Sequence, residues 1–321
     1  MITRILLFSI MFLLQSFCFG LENLTSLILY DEYKSFYFAD DNVLSNSSDA
    51  IVRKIYDQNN NAYIVKQIVD TDIDEQFLLI RDLIASGIGV SCGIPVNEVY
   101  LIPANIKCKI KVYNWTAATV HRFIEGVCLE DNAPKFLNKD FALQQQYLDH
   151  YEWQKKWVLE DCQQGFSRKF IESMSLHNDL PKIVAFDTFV GNFDRSLPNI
   201  FYNEKENRFY GIDQAAAFNN KNLSKLALDR LKELHHKDYF KSCCGKIIDS
   251  LRLYRDTLIK LYNKITPENV CLLFKTYSSH IYVWSEDFSK HVHGRCYYHC
   301  KAFESNYRFT KELIELLDEI L

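Results

Sequence analysis

The sequence predicts an α+β fold of two lobes, with a strand-rich lobe first and a mainly helical lobe after it. Three observations carry this expectation. Short β-branched runs separated by polar turn clusters dominate the chain up to about residue 124. From about residue 140 the apolar residues recur with helical spacing instead. A single short apolar hairpin, 200–212, interrupts that helical part. Strands followed by helices, each set building its own layer, fit a two-lobed enzyme with its site in the cleft. The boundary falls near Gly126, giving an N-lobe over 21–126 and a C-lobe over 127–321.

Residues 1–20 read as a secretory signal, which predicts a secreted protein. Arg4 supplies the positive start, residues 5–14 are apolar apart from Ser9, and Cys18-Phe19-Gly20 places small residues where a signal peptidase reads. The alternative is an uncleaved N-terminal anchor. The apolar stretch is short for a membrane span and no second hydrophobic run follows, so no transmembrane segment is expected after cleavage.

In the N-lobe, 51–56 and 62–68 are apolar β-branched runs joined by Asp57-Gln58-Asn59-Asn60-Asn61, which predicts a hairpin. A helix over 73–86 follows, with Ile73, Phe77, Ile80 and Ile84 on one face and a stop in the glycines of 87–93. Further strands are expected over 99–102, 107–113 and 118–124. Helices are expected over 140–159, 181–190, 223–234, 247–262 and 311–321.

The chain's net charge of −4 carries no bulk attraction toward nucleic acid or a membrane surface, so no nucleic-acid partner is expected. Its 10 glycines are few, so a phosphate-cradling loop would have to use Ser and Asn. Its 10 cysteines include Cys18 in the leader, which leaves an odd, scattered set that cannot pair completely and does not form a small disulfide scaffold. Either a few bridges form or the protein ends in a reducing compartment.

Gly191-Asn192-Phe193-Asp194-Arg195-Ser196-Leu197-Pro198-Asn199-Ile200, with Gly211-Ile212-Asp213 across the hairpin, places an Asp, an Asn five residues on, and a second Asp. That is the spacing phosphoryl transfer needs. One carboxylate handles the acceptor hydroxyl, while an amide and a second carboxylate hold a metal on ATP. Each residue also has a plain structural reading: Asp194-Arg195 as a surface ion pair in a helix cap, and Asp213 as a turn residue. Lys66 ends an alternating strand and shares a face with Ile64. It is either an inward lysine that meets phosphate, with Glu75 holding its ammonium, or a solvent-facing lysine on an edge strand. Ser47 and Ser48 lie in a small polar stretch that either caps phosphates or is an ordinary loop. The 121–126 segment has backbone that could pair with an adenine edge. The His- and Cys-rich stretch 291–300 lacks zinc-finger spacing and reads better as the start of a packed helix, with Cys296 and Cys300 facing the core.

These motifs resemble the phosphatidylinositol 3-/4-kinase-like group, which includes the HipA-like and actin-fragmin kinases. Gly191-Asn192-x-Asp194-Arg195-x-x-x-Asn199-Ile200 is similar to its catalytic motif. Ile212-Asp213-Gln214-Ala215-Ala216-Ala217-Phe218 is similar to its metal motif, and the order of Lys66 and Glu75 matches the HipA-like N-lobe. The resemblance implies a protein-kinase-like fold that uses ATP and Mg²⁺. It implies Asp194 as catalytic base, Asn199 and Asp213 on the metal, Lys66 on the phosphates with Glu75 as its partner, and Arg122, Phe123 and Ile124 at the adenine. The motif departs from the family in carrying Ser196 where these families often have His, Gln214 after the metal Asp, and no glycine-rich loop.

The expected function is therefore transfer of the ATP γ-phosphate to a hydroxyl, on a protein Ser or Thr in preference to a phosphoinositide. Three alternatives stand beside it: a phosphatidylinositol 4-kinase-like lipid kinase, a non-catalytic binding module of the same fold, and an enzyme that transfers the nucleotide. Because ATP is scarce outside cells, a secreted kinase is expected to act inside a host cell or in an ATP-supplied secretory lumen.

Overall fold

In a computed structural model the chain is described over residues 26–27, 43–46, 50–68, 73–102, 118–128, 166, 168–195, 197–279 and 286–321. The expected leader 1–20, the expected strand 107–113 and the expected helix 140–159 lie outside these residues. The two-lobed α+β organisation is the one observed.

The N-lobe is built on β1 (Ser26–Leu27), β2 (Val43–Asn46), β3 (Ala50–Tyr56), β4 (Ala62–Ile68), β5 (Val99–Ile102) and β6 (Ala118–Arg122). They form one sheet in the order β1-β5-β6-β4-β3-β2, antiparallel except where β1 meets β5. The β3–β4 hairpin turns where the sequence predicts. Asp57 Oδ1 accepts the N–H groups of Asn59 and Asn61, each at 2.8 Å, and Asn60 takes the left-handed conformation at φ 63°. β4 is an interior strand, with Val52↔Lys66 on one side and Lys66↔Thr119 on the other. The edge-strand reading of Lys66 therefore fails.

Helix α1 (Ile73–Ser91) packs on this sheet through Phe77, Ile80, Ile84 and Ile88, all buried at helical spacing. It runs past the expected stop. Gly89 belongs inside it, because a Cβ there would lie 2.5 Å from Val96 Cγ2 and 3.3 Å from Phe186 Cε2. The glycine admits the helix to its neighbours, and Gly93, at φ 68°, makes the turn after it.

The C-lobe holds α2 (Arg168–Met174), α3 (Asp179–Val190), α4 (Leu223–His236), α5 (Gly245–Lys264), α6 (Pro267–Ser278) and α7 (Glu286–Ile320). β7 (Val127–Cys128), β8 (Ile200–Asn203) and β9 (Arg208–Gly211) form a small second sheet, with β8 and β9 entering the chain between α3 and α4. α3 is the central helix, with nearly every residue buried, as its continuous apolar sequence requires. It ends at Gly191, left-handed at φ 70°. Beyond it Asn306 of α7 donates through Nδ2 to the Thr188 and Phe189 carbonyls at 2.6 and 2.7 Å. α6 is a helix the sequence reading omits. α7 starts some twenty-five residues before the expected 311, and Cys296 and Cys300 do face the core. Among the described residues no helix is long and apolar enough to cross a membrane.

Contacts away from the cleft help to join the lobes. Gly211 donates to the Pro95 carbonyl at 2.9 Å and accepts from Asn97 N–H at 3.3 Å, so the segment after α1 pairs with the end of β9. α7 reaches α1 through an Arg295–Asp74 ion pair and a His299–Phe77 ring contact at 5.5 Å.

Gly89→Ala is expected to destabilise the protein by about 1–3 kcal/mol through overpacking between α1, Val96 and Phe186. Denaturant titration checks this, and an unchanged midpoint would show that the helix can shift to make room.

Candidate active site

A cavity of about 320 Å³ opens between the lobes. Val52, Ile64, Phe123, Ile124, Phe201 and Ile212 give it apolar walls, and Lys66, Asp82, Asn97, His121, Asn199 and Asp213 bring polar groups to it. Its size and its mix of apolar walls with a few convergent polar groups suit a small polar ligand with a flat apolar portion.

The polar end is organised by one ion pair across the cleft. Lys66 Nζ from β4 lies 2.9 Å from Asp213 Oδ1, just past β9, with the two side chains 16% and 40% exposed. Asp213 is left-handed at φ 55°, a conformation that costs a non-glycine residue energy and is tolerated best by Asn and Asp. Burial opposes charge on Lys66, yet Asp213 and Asp82 together hold its pKa above the ordinary lysine value. Burial likewise pushes the Asp213 carboxyl upward, and the Lys66 charge and hydrogen bond outweigh it, so its pKa falls below the usual carboxylate range.

The second acid beside Lys66 is Asp82 of α1. Glu75, the expected partner, belongs to the first turn of the same helix, seven residues or about 10 Å earlier along its axis. It does not line the cavity. Asp82 is fully buried, and its Oδ1 accepts the Gln214 N–H at 3.0 Å. α1 thereby holds the backbone next to Asp213 in place. Asp82 Oδ2 lies 3.6 Å from His121 Nε2. With Asn97 donating through Nδ2 at 3.0 Å to His121 Nδ1, the imidazole proton sits on Nε2, which meets Thr119 Oγ1 at 2.8 Å. Burial keeps His121 neutral by lowering its pKa, although Asp82 pulls the other way. Asp82 was legible as one of only two charges, with Arg81, in the apolar run 77–90.

The loop after α3 carries the other expected residues. Asn199 lines the cavity beside Asp213 and donates its amide Nδ2 to the Asp194 carbonyl at 3.1 Å, which leaves Oδ1 as its metal-binding atom. Asp194 is exposed and does not line the cavity, and it is tied to the site through that Asn199 bond. Arg195 is the residue the sequence reading misplaced as a surface group. It is 2% exposed, and its Nε and Nη2 grip Asp187 of α3 at 2.8 and 2.9 Å. Nη1 donates to the Asn199 carbonyl at 2.9 Å and to the Ile212 carbonyl, and Nη2 donates also to Gln214 Oε1. Asn192 Nδ2 adds bonds to Asp187 Oδ1 at 3.0 Å and Gln214 Oε1 at 3.1 Å. Burial raises the Asp187 pKa, against the pull of the Arg195 charge and the Asn192 amide. Gly211 lies against the guanidinium plane, where a Cβ would come within 3.2 Å of Arg195 Cζ.

At the apolar end, Arg122, Phe123 and Ile124 all line the cavity, with Arg122 mostly exposed and paired to Glu98 at 3.6 Å. Phe123 N–H donates to the Ala62 carbonyl at 3.1 Å, and Lys54 Nζ lies 4.0 Å above its ring. The backbone of Ile124 makes no hydrogen bond among the described residues, so it is open to a planar heterocycle edge. Ser47 and Ser48 fall between β2 and β3 in sequence, outside the described residues.

Asn199 and Asp213 are hard oxygen donors on one wall, beside a lysine suited to phosphate. That donor set fits Mg²⁺, which keeps several waters and takes one or two protein oxygens together with substrate phosphates.

No protein-family model and no curated protein matches the chain. Among solved structures, it is similar to the Helicobacter pylori proinflammatory kinase CtkA at 14% identity and a TM-score of 0.43, covering 85% of this chain and 95% of that one. It is similar to a chain of the Shewanella oneidensis HipA–HipB–operator DNA complex at 12% identity and a TM-score of 0.43, covering 90% and 74%. The Leishmania major MAP kinase LmaMPK10 follows at 8% identity and a TM-score of 0.31, covering 89% and 84%.

Two measurements check the electrostatics of the site. Arg195→Ala leaves Asp187 buried without its counter-charge and is expected to cost about 3–5 kcal/mol of stability, read by denaturant unfolding. Asp213, with its lowered pKa, contributes stability that is present above about pH 3.9 and is lost as pH falls through its folded value. Lys66, with its raised pKa, contributes stability that is present below about pH 10.4 and is lost as pH rises through its folded value. Lys66→Met should therefore flatten the Tm profile at both extremes, and an unaltered profile would count against the pair.

Proposed function

We propose that this chain is an ATP-dependent kinase that transfers the γ-phosphate to a hydroxyl, with a protein Ser or Thr favoured over a lipid headgroup. The observation that carries this reading is the meeting of Lys66 with Asp213 at 2.9 Å across the cleft, with Asn199 on the same wall. A cation and two metal-type oxygens converge at one end of a cavity whose other end is apolar and offers the backbone of Ile124, which has no hydrogen bond among the described residues. A nucleoside triphosphate has that polarity: a flat base at one end and a chain of anions at the other.

In this reading Phe123, Ile124, Val52 and Phe201 sandwich the base, and Lys66 meets the phosphates. Asn199 and Asp213 would hold Mg²⁺, which neutralises phosphate charge. The charge of Asp82 helps keep Lys66 protonated, and Asp82 also fixes the backbone on which Asp213 is mounted. Asp194, exposed at the loop that Asn199 ties down, is reached by an incoming hydroxyl from solvent and would orient it and take its proton. An exposed base suits an acceptor presented by a macromolecule. With the leader peptide, the reading extends to a secreted effector that acts where another compartment supplies ATP.

Mg·ATP is expected to raise the Tm of the wild-type protein, and radiolabelled ATP is expected to label protein substrates in lysate in preference to phosphoinositide vesicles. Asp213→Ala should abolish Mg²⁺-dependent turnover, and Asp194→Asn should cut kcat by about 10²–10⁴-fold while leaving the Mg·ATP thermal shift in place. A wild-type protein that shows no thermal shift with Mg·ATP would sink the proposal.

A further inference from the structure

A second cavity lies at the far end of the central helix. α3 runs from Asp179 to Val190, just before the loop that carries Asp194, so its start stands about 16 Å along its axis from that loop. The segment 175–179, Lys182, the turn at Asn207 and Arg208, and Lys246 at the start of α5 enclose an open basin of about 520 Å³. No residue lines both this basin and the cleft cavity.

The charges of the basin do not cancel. Lys182, Arg208 and Lys246 line it with a single carboxylate, that of Asp179. Asp179 is buried and already engaged. Its Oδ2 accepts the Phe209 N–H at 3.2 Å and lies 3.6 Å from Arg208 Nε, and its Oδ1 accepts from Lys182 Nζ at 3.4 Å. Lys246 has no acid partner among the described residues. His177 adds no charge, because its Nδ1 accepts the Asp179 N–H at 3.1 Å and burial lowers its pKa. Three cations against one carboxylate leave two positive charges on one concave surface. Glu206 and Asp249, the acids nearest in sequence to Arg208 and Lys246, do not line it; they bond to the Tyr210 hydroxyl and to Arg252.

Donors are left over as well. Arg208 directs Nε at Asp179, Asn207 accepts the Tyr202 hydroxyl on Oδ1 at 2.8 Å, and the Asn178 side chain makes no cap bond. Among the described residues this leaves the outer edge of a guanidinium and two amide groups without a hydrogen bond. Lys182 and Lys246 also stand in the first turns of α3 and α5, where a cation is unfavourable beside the positive end of the helix dipole and a bound anion would relieve it.

We propose that this basin binds a phosphomonoester, borne either by a phosphorylated side chain of a protein or by a small phosphorylated molecule. Near neutral pH such a group carries a charge of about −1.5 to −2 and three acceptor oxygens, which matches two uncancelled positive charges and several separate donors. A carboxylate brings one charge and two oxygens. Arg208 meets the phosphate with its Nη groups, while Asp179 holds the guanidinium through Nε, and Lys182 and Lys246 act as point charges. The basin is larger than a phosphate alone and leaves room for the group that bears it. Nothing in this site depends on catalysis in the cleft.

The test is a fluorescence-anisotropy titration of the full chain at physiological ionic strength with a labelled phosphoserine peptide of otherwise uncharged residues. The same peptide with plain serine, and one with two adjacent aspartates in its place, are the controls. The phosphopeptide is expected to bind, the serine peptide not to bind, and the two-aspartate peptide to bind at least about tenfold more weakly. Arg208→Gln and Lys246→Gln, with circular dichroism to verify the fold, should each weaken the phosphopeptide about tenfold. Lys66→Met, which alters the cleft, should leave it unchanged. Free O-phosphoserine that competes as well as the peptide assigns the ligand to a small molecule, and weaker competition assigns it to a protein; both uphold the site. Absence of binding, equal affinity for the two-aspartate peptide, binding that survives both glutamine changes, or loss in Lys66→Met alone would overturn the proposal.

Discussion

The buried guanidinium of Arg195 is the constraint on which the site depends. Its donors are divided among Asp187 of the central helix, the carbonyls of Asn199 and Ile212, and the side chain of Gln214. Those groups belong to α3, to the loop that carries Asp194 and Asn199, and to the segment that carries Asp213. One planar cation thus sets the spacing of elements that are separate in sequence. Arginine suits this role because its fork is rigid and always charged, so several acceptors are fixed at once with little residual freedom. The arrangement requires the absence of a side chain at Gly211, since the plane of the guanidinium occupies that space.

Above this anchor, the cleft balances charge so that a ligand can change it. Lys66 faces Asp213 and Asp82, two acids with different duties. Asp82 is buried and bonded to backbone, so its charge is committed to structure. Asp213 is more exposed and, among the described residues, pairs with Lys66 and the Ala215 N–H. A phosphate chain and its metal would exchange that pairing for two others: Lys66 with phosphate and Asp213 with cation. The exchange conserves charge neutrality at each partner, which limits the desolvation cost of binding.

Local pattern made much of this readable from sequence. The β3–β4 hairpin follows from β-branched runs around an Asp-Asn turn, and α3 from a predominantly apolar stretch. The Asp194, Asn199 and Asp213 spacing pointed to a shared site, of which Asn199 and Asp213 line the same cavity. What was illegible depends on contacts distant in sequence. An Asp-Arg pair in a polar loop looks like surface, and only the isolated Asp187 within an apolar helix hinted at a buried partner. The choice between Glu75 and Asp82 turns on which helical turn faces the cleft, and the first turn of a helix attracts acids for reasons of its own. The early part of α7 buries Val292, Cys296, His299, Cys300 and Phe303 at helical spacing. The helical spacing of Cys296 and Cys300 was legible, but not that this stretch and the helix expected from 311 are one element.

The contacts between the lobes away from the cleft also bear on how the molecule can open. One set is the backbone pairing of residues 95–97 with Gly211, and the other is the grip of α7 on α1. Both involve α1 or the segment just after it, so a rotation about that side of the N-lobe is the motion that disturbs them least. The N-lobe sheet is anchored on the side where α1 and β5 lie and has no such tie at the β2–β3 edge among the described residues. Ligand exchange would then proceed as the lifting of one edge of a hinged plate, with α1 and Asp82 near the pivot and moving least.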